Sequence, residues 1–238
     1  MTEYPQTAVM AVADMKGSAS RNDMGRRWAR QEMYAWLEQA LGSAWTACVH
    51  LDRGDGVLML WPLSVPDPVP PKVIVSGLLR LSSTAPTGPH PPRLRVAVNI
   101  GQAFQDEYGF VGAGVDETFR LNEARVLRAA LAQADGPVAY LLSETVHKTV
   151  VGYGYEDLDP AAFHPTVVRE KESTLRAWLH VPCEDGIAAR LAAEGGEPVE
   201  RPADRAGDAP RPPSGVYLNI GGDARISDST IAGRDLYL

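Results

Sequence analysis

Cysteine is scarce in this chain of 238 residues, which contains only Cys48 and Cys183, far apart in the sequence. Neither has a neighbour at the spacing of a metal-binding motif, and the pair is typical of a protein from a reducing compartment. We therefore expect a cytoplasmic protein. The five histidines are also scattered, and no serine lies in a nucleophile-elbow sequence. Hydrolase chemistry has little support from these residues.

Long hydrophobic runs and an excess of positive charge are also missing. No apolar stretch approaches the roughly 18 residues that span a bilayer, and the first residues do not follow a signal-peptide pattern. The formal net charge of -7 argues against a general nucleic-acid-binding surface, which is usually basic. We expect neither a membrane nor a nucleic acid as partner. A nucleotide ligand stays compatible with this charge because a metal ion can supply the positive charge.

Helical and strand-like patterns alternate through the first three quarters of the chain, and 45% of all residues in the chain are hydrophobic, which suffices for a core. They predict the order β-α-β-β-α-β-α-β-α-β-β. This order indicates an α+β sandwich of ferredoxin-like type, with a central antiparallel sheet and flanking helices. Strands are predicted at 7–13, 45–51, 57–63, 94–100, 138–142, 166–168 and 175–181. Helices are predicted at 24–41, 72–83, 115–134 and 143–151.

Three segments are expected along the chain. Residues 1–185 form the sandwich domain, and residues 186–214 form a short helix and a linker rich in Pro, Gly and Ala, too poor in large apolar residues to fold. Residues 215–238 form a β-rich, hairpin-like tail around Gly221-Gly222-Asp223. Two interpretations of the tail stay open. It either adds strands to the sheet edge of a protein partner or packs on nothing.

The stretch from Val49 to Trp61 is central to the functional interpretation, because two apolar runs flank a tight turn that carries Asp55. Glycine on both sides of Asp55 lets the backbone turn sharply and lets a bulky ligand approach. An acid at the tip of a hairpin suits a metal ion that carries phosphates. Asp-Gly is also the commonest turn dipeptide, so a plain turn is the alternative.

A second acid, Asp14, follows the first predicted strand. In a ferredoxin-like sheet the first strand lies next to the hairpin, so Asp14 and Asp55 can point at one spot. Two converging carboxylates do not both stay ionised cheaply without a cation. Mg²⁺ or Mn²⁺ with a nucleoside triphosphate meets that need, which is the logic of a two-metal phosphoryl-transfer site.

Four sequence blocks together resemble class III nucleotidyl cyclases, as a divergent member of actinobacterial type. They are Val-Ala-Asp-Met-Lys-Gly-Ser at 12–18, Arg-Gly-Asp-Gly-Val-Leu at 53–58, Leu-Arg-Val-Ala-Val-Asn-Ile-Gly at 94–101 and Gly-Ala-Gly-Val-Asp-Glu-Thr-Phe-Arg-Leu at 112–121. The resemblance spans roughly residues 7–182. It implies that Asp14 and Asp55 bind Mg²⁺ or Mn²⁺ in a two-metal site, with Met15, Gly17 and Gly54 beside them as cofactor-binding residues.

The resemblance also implies catalytic roles beyond the aspartates. Arg120 would stabilise the transition state by contacting the phosphates, because a guanidinium is always charged and forks onto phosphate oxygens. Lys171 lies near the position of the family's phosphate-binding lysine. Judged without the other blocks, Arg120 is instead a residue of a solvated helix face and Lys171 part of an ordinary surface turn.

Three positions depart from the family's pattern. Asp116 replaces the asparagine that orients the ribose, and it shares a helix face with Arg120, so a salt bridge could restrain that arginine. Leu51 replaces the purine-selecting lysine, and its acidic partner falls near Gly109. Neither adenine nor guanine selectivity is therefore implied. A relaxed or pyrimidine preference and a lost activity both stay open.

The resemblance implies a homodimer, because one chain of such a cyclase supplies the aspartates and the other supplies Arg120. The expected reaction is attack of the ribose 3′-hydroxyl on the α-phosphate of a nucleoside triphosphate, which releases pyrophosphate and a 3′,5′-cyclic nucleotide. The alternative is a catalytically inactive relative that serves as a regulatory module and docks through its tail. Retention of both aspartates favours the enzyme, whereas Asp116 and the missing purine-selecting pair favour the inactive module.

Overall fold

The alternating pattern folds into one sheet with helices on both faces. The computed structural model describes residues 4–18, 21–88, 91–170 and 173–195. Within these ranges the strands are β1 (Gln6–Met15), β2 (Val49–Asp52), β3 (Gly56–Pro62), β4 (Leu94–Gln105), β5 (Phe110–Val111), β6 (Val138–Ser143), β7 (His164–Glu170) and β8 (Ser173–His180). The helices are α1 (Asp23–Leu41), α2 (Ser43–Thr46), α3 (Pro71–Leu79), α4 (Ala113–Glu123), α5 (Arg125–Gln133), α6 (Glu144–Thr149) and α7 (Asp185–Ala193).

The strand order in the sheet is β2-β3-β1-β4-β6-β8-β7, and β5 pairs with the end of β4. Only β4 and β6 run parallel to each other among these described pairs. β1 lies between β3 and β4, as its apolar sequence predicts, because a strand covered on both faces needs apolar side chains on both. This arrangement confirms the predicted α+β sandwich with its flanking helices.

Side chains of β1 alternate between two packed layers. Val9 and Ala11 belong to the layer under α1, α3 and α6, whereas Met10 and Val12 belong to the opposite layer, which α4 covers in part. In the first layer Met33 and Leu37 of α1 are fully buried. Each such side chain contributes about 1.5–3 kcal/mol of hydrophobic stabilisation. None of the helices in the described ranges combines the length and hydropathy that crossing a bilayer requires.

The prediction of one helix over 115–134 is wrong. The chain leaves the helical conformation at Ala124, whose φ of -56° and ψ of 136° separate α4 from α5. The break lets α4 cover β1 and β4 while α5 packs towards β6 and α7. Val126 and Leu127 of α5 are buried, whereas Arg120 of α4 is exposed.

Two further boundaries differ from the prediction. Residues 45–51 do not form one strand, because Ser43–Thr46 is a helical turn and β2 begins at Val49. The indole Nε1 of buried Trp61 donates a 2.7 Å hydrogen bond to the Ala44 carbonyl, and this tertiary contact favours the turn. β4 continues through Gly101 to Gln105, beyond the predicted end of the strand at residue 100. The predicted short helix at 186–194 forms α7, which packs on α5, β7 and β8.

Candidate functional site

Asp14 and the turn that carries Asp55 lie side by side. Asp14 is the penultimate residue of β1 and pairs across the sheet with Gly56, the residue after Asp55. The backbone N–H of Met15 donates a 2.9 Å hydrogen bond to the carbonyl oxygen of Asp55, which ties the hairpin tip to the end of β1. The strand pairing therefore brings together the two acids that the sequence singled out.

Asp14 is mostly buried, and its surroundings decide its charge. Burial raises the pKa of Asp14 above its ordinary value, and the negative charge of Asp55 raises it further. The hydrogen bond and the charge of Arg95 oppose this rise without cancelling it. The Asp14 carboxylate therefore needs a nearby positive charge in order to stay ionised, and this need favours the binding of a cation.

Arg95 supplies that positive charge in this structure. It lies on β4 directly opposite Asp14 in the strand register and forms an ion pair with the Asp14 carboxylate. Its Nε is buried and has no hydrogen-bond partner. Arg95 is not among the residues that the sequence predicts for the site, because its position opposite Asp14 follows from the antiparallel register between β1 and β4.

Asp55 is exposed at the tip of a turn whose geometry requires glycine. Gly54 has a φ of +86°, a conformation that residues with a Cβ rarely adopt. The Asp55 carboxylate accepts a 2.5 Å hydrogen bond from the hydroxyl of Ser18 in the connection between β1 and α1. The Asp55 carboxylate therefore faces the end of β1 as well as solvent. A plain turn does not require this contact.

A polar network attaches the same hairpin to α1. Asp52 Oδ1 accepts a hydrogen bond from the Gly54 N–H at 2.9 Å, and its Oδ2 accepts from Arg30 Nε at 2.8 Å and from the Tyr34 hydroxyl at 2.6 Å. Burial raises the pKa of Asp52, but the hydrogen bonds from Tyr34, Gly54 and Arg30 outweigh that effect, so the pKa lies below its ordinary value. An ionised Asp52 therefore braces the turn next to Asp55. No local sequence pattern indicates this network, because its members are separated by up to 22 residues.

Asp116 and Arg120 lie one helical turn apart on the exposed side of α4. Their helix is fastened to the strands of the site. Buried Asn122 donates 3.1 Å hydrogen bonds to the carbonyl oxygens of Val12 and Arg95. The helix also passes close to β4 at Gly114, where a Cβ would lie 2.8 Å from the Gln102 carbonyl oxygen. The position of Arg120 is thus coupled to the strands that carry Asp14.

The remaining residues of the expected site have different surroundings. Met15 is buried in the core apart from its backbone contact with Asp55, and Gly17 occupies the turn after β1 with a φ of +75°. Lys171 lies outside the described residues, as do the linker from 196 to 214 and the tail at 215–238. Leu51 and Gly109 are neighbours, since a Cβ on Gly109 would lie 3.1 Å from Leu51 Cδ1. Where the family carries a charged pair, this chain therefore has an apolar contact.

The donor set at the two aspartates fits a magnesium-like ion. Within the described ranges no group of three or more His, Cys, Asp or Glu side chains surrounds a common point. Mg²⁺ does not require one, because it commonly takes one or two carboxylates and completes its shell with phosphate oxygens and water. Asp14 and Asp55 are hard oxygen donors of this kind.

Several solved structures have an architecture similar to that of this chain. The guanylyl cyclase Cya2 superimposes with a TM-score of 0.53 at 15% identity, over 75% of this chain and 93% of that one. An adenylate/guanylate cyclase/hydrolase from Silicibacter pomeroyi gives 0.51 at 18% identity, over 76% and 99% of the two chains. The catalytic core of a rhodopsin-guanylyl cyclase with converted specificity, in complex with ATPαS, gives 0.51 at 12% identity, over 74% and 94%.

No protein-family model matches the sequence, and a search of curated proteins found no match. The chain nevertheless has the fold of class III adenylyl and guanylyl cyclase catalytic domains, as the four sequence blocks imply. Identities of this size establish the fold alone.

Proposed function

We propose that this protein is a metal-dependent nucleotidyl cyclase that converts a nucleoside triphosphate to a 3′,5′-cyclic nucleotide and pyrophosphate. The observation that carries the proposal is the convergence of Asp14 and Asp55 at the joined ends of β1 and the β2–β3 hairpin. Asp14 lies at the end of the apolar strand β1 and Asp55 directly before the apolar strand β3, and burial and mutual repulsion make the pair costly without a cation.

Asp14 and Asp55 would hold Mg²⁺ or Mn²⁺. When bound, the ion lowers the pKa of the attacking 3′-hydroxyl and neutralises charge on the phosphates. The hydrogen bond from Ser18 and the network around Asp52 keep the Asp55 turn in place, so little rearrangement is needed when the substrate binds. A preorganised site of this kind retains the rate advantage of a positioned nucleophile.

Two arginines suit the phosphates. Arg95 lies beside Asp14, and its guanidinium would contact a phosphate held at the two aspartates. Arg120 on α4 would stabilise the negative charge of the transition state, because its guanidinium is exposed and permanently ionised. Asp116 lies one turn before it and would take the ribose-orienting role through its carboxylate oxygens.

We further propose that the active form is a homodimer. The arm formed by the end of β4 and by β5 exposes three large apolar side chains, Phe104, Tyr108 and Val111, with relative exposures of 40%, 89% and 53%. Exposed apolar side chains grouped in this way favour an interface. A two-fold dimer would place Arg120 of one chain against the aspartates of the other and give two equivalent sites.

Base selectivity is expected to be relaxed. Leu51 and Gly109 offer an apolar surface without hydrogen-bonding side chains, so nothing at this contact distinguishes adenine from guanine. Strong discrimination between bases requires polar groups that are left unpaired by the wrong base. Rates with ATP, GTP, CTP and UTP should therefore differ by less than roughly tenfold.

The ion pair between Arg95 and Asp14 also favours a second function. Arg95, a cation of the chain itself, already neutralises Asp14, which is compatible with a catalytically inactive relative. Such a relative would keep the fold and bind a nucleotide, or bind a protein partner through its tail. The replacement of the expected asparagine by Asp116 points the same way.

One experiment separates the two functions. Purified protein is incubated with Mn²⁺ and each of the four nucleoside triphosphates, and the products are identified by mass spectrometry. The matched variants are Asp55→Asn and Asp67→Asn, the second in an exposed loop. A cyclic nucleotide lost by at least about 100-fold in Asp55→Asn but retained in Asp67→Asn supports the cyclase. No product from folded, dimeric protein with any nucleotide refutes it and supports the inactive module.

A further inference from the structure

A cavity of about 450 Å³ lies between the end of α3, the loop that leads into β7, and the end of β8. Sites for small molecules typically have volumes of roughly 300–1,000 Å³. The cavity belongs to the layer that contains α1, α3 and α6, into which Ala13 and Met15 of β1 point. The side chain of Asp14 alternates with these two and points to the opposite face of the sheet. The cavity is therefore separate from the site of the two aspartates.

Part of the lining of this cavity is apolar and aromatic. Leu158 and Phe163 are almost completely buried, and Leu79 packs against the same core. The His180 imidazole stacks on the Phe163 ring with 4.6 Å between the ring centres. Aromatic groups favour stacked or edge-to-face contacts with one another. This part of the lining would accommodate an aromatic ring of a ligand.

His180 also supplies a hydrogen-bond acceptor. Its Nδ1 lies 2.9 Å from the Ala162 carbonyl oxygen, which can only accept, so Nδ1 carries the proton and donates it. Burial lowers the pKa of His180, so the imidazole is neutral at pH 7. A neutral imidazole protonated at Nδ1 has a lone pair on Nε2. Nε2 forms no hydrogen bond with any residue in the part of the chain that the structure describes.

Two opposite charges line the cavity without pairing with each other. Arg80 donates Nε and Nη2 to the neutral carbonyl oxygen of Ala40, at 3.1 and 2.7 Å. Asp159 Oδ1 accepts a 2.9 Å hydrogen bond from the backbone N–H of Ala161. Within the described ranges neither side chain forms an ion pair. A ligand that carries both charges would compensate both residues.

Asp157, a second acid of the lining, differs from Asp159 in this respect. Its Oδ1 lies 2.8 Å from Lys72 Nζ, and the hydrogen bond from that ammonium group is the largest of the effects that lower the pKa of Asp157. The charge of Asp157 is therefore already compensated within the protein. One uncompensated acid and one uncompensated arginine are left for a ligand.

We propose that this cavity binds a free aromatic α-amino acid. The ammonium group of the amino acid would donate hydrogen bonds to Asp159 and to Nε2 of His180. Its carboxylate would accept from Arg80, because a guanidinium pairs well with a carboxylate. Its ring would lie against Phe163. This site is additional to the proposed cyclase site and does not depend on it, since the residues of the two do not overlap.

The test measures binding of L-phenylalanine to the full-length protein by calorimetry. Three related compounds each lack one recognised group: phenethylamine lacks the carboxylate, 3-phenylpropionate lacks the ammonium group and L-alanine lacks the ring. The variants are Asp159→Asn, which keeps an oxygen to accept from Ala161, and Arg80→Gln. The matched controls are Asp67→Asn and Arg125→Gln, which remove exposed charges outside the cavity. Circular dichroism monitors folding.

We expect L-phenylalanine to bind, and each of the three related compounds to bind at least about tenfold more weakly. Asp159→Asn should remove the preference for L-phenylalanine over 3-phenylpropionate, and Arg80→Gln should remove the preference over phenethylamine. The two control variants should keep both preferences.

Absence of L-phenylalanine binding at about 10 mM, where even a Kd of about 1 mM gives high occupancy, overturns the proposal. Unchanged preferences in folded Asp159→Asn and Arg80→Gln also overturn it, as does L-alanine binding as tight as that of L-phenylalanine. If Arg80→Gln does not fold, the result for Asp159→Asn decides alone. Loss of the cyclase proposal would leave these outcomes unaffected, because none of them involves turnover of a nucleotide.

Discussion

Arg95 and Asp14 face each other across β4 and β1 and form an ion pair, although 81 residues separate them in the chain. Their side chains keep only 18% and 20% of their exposure, so the pair is largely withdrawn from water. In the ligand-free protein the positive charge that compensates Asp14 therefore comes from Arg95, a residue of the same sheet. This pairing leads to the first prediction.

Replacement of Arg95 by methionine should destabilise the protein by roughly 1–3 kcal/mol, because it leaves the Asp14 charge partly buried without a partner. Asp14→Asn in the same background should restore most of that loss. Urea unfolding at neutral pH of the two single variants and the double variant gives the coupling energy between the residues. Strictly additive effects would show that the ion pair contributes nothing.

The pH dependence of stability should have opposite signs at Asp14 and Asp52. The pKa of Asp14 is raised, first by burial, so its contribution is present below the ordinary value of 3.8 and lost as pH rises through the folded-state pKa. The pKa of Asp52 is lowered by its hydrogen bonds, so its contribution is present above 3.8 and lost as pH falls through the folded-state pKa.

The measurement is the free energy of unfolding between pH 3 and pH 7, about the range over which carboxyl groups titrate. Asp14→Asn should remove a decrease in stability that accompanies rising pH, whereas Asp52→Asn should remove an increase. Identical pH profiles for the two variants would contradict the assigned surroundings.

Asp52 should affect metal binding indirectly, because it holds in place the hairpin that carries Asp55. Asp52→Asn keeps the shape but weakens the hydrogen bonds from Arg30 and Tyr34, so the turn that carries Asp55 becomes less ordered. We expect the Mn²⁺ concentration for half-maximal activity to rise by about 10-fold, as for other residues that orient metal ligands. Tyr34→Phe, which removes one of these hydrogen bonds, should give a smaller rise. Lower maximal activity without a change in Mn²⁺ dependence would argue against this role.

Mixed dimers should reveal a site shared between chains. Asp55→Asn and Arg120→Ala should each be inactive alone, but a heterodimer of the two contains one intact site. Co-refolding equal amounts should restore about a quarter of the unmodified activity, because half of the dimers are mixed and each has one working site of two. Failure to restore activity, with subunit exchange shown by differently tagged chains, would place both residues in one chain's site.

The close approach of α4 to the sheet should make Gly114 intolerant of a side chain. A Cβ there would lie 2.6 Å from Met10 Cε and 2.8 Å from the Gln102 carbonyl oxygen, so Gly114→Ala must displace the helix that carries Arg120. We expect a loss of about 1–3 kcal/mol in stability, together with reduced activity.

Gly186→Ala in α7 is the matched control for this substitution. A Cβ at that position meets nothing within 4 Å, so the protein should be unchanged or slightly stabilised by the better helix former. Thermal melts and activity of the two variants check the prediction. Equal stability of both would show that α4 moves without cost.

Much of the fold followed from local pattern. The apolar run of β1, the periodicity of α1 and the turn around Asp55 each lie within a single segment, and local preferences suffice for them. The break at Ala124 did not follow, because both halves of 115–134 have good helical periodicity and the break serves packing on two parts of the sheet. The helical turn at Ser43–Thr46 was missed for a similar reason, since a hydrogen bond from Trp61 favours it.

By itself the sequence determined the order of the principal strands and helices and the positions of Asp14 and Asp55 next to strand ends, because hydrophobic period and turn chemistry are local properties. Only the tertiary structure decided what those acids face. The pairing of Arg95 with Asp14, the hydrogen bond from Asn122 to Val12 across 110 residues and the cleft between α1 and the β2–β3 turn all depend on strand register and helix packing. Such contacts join distant segments, and no local pattern encodes their register.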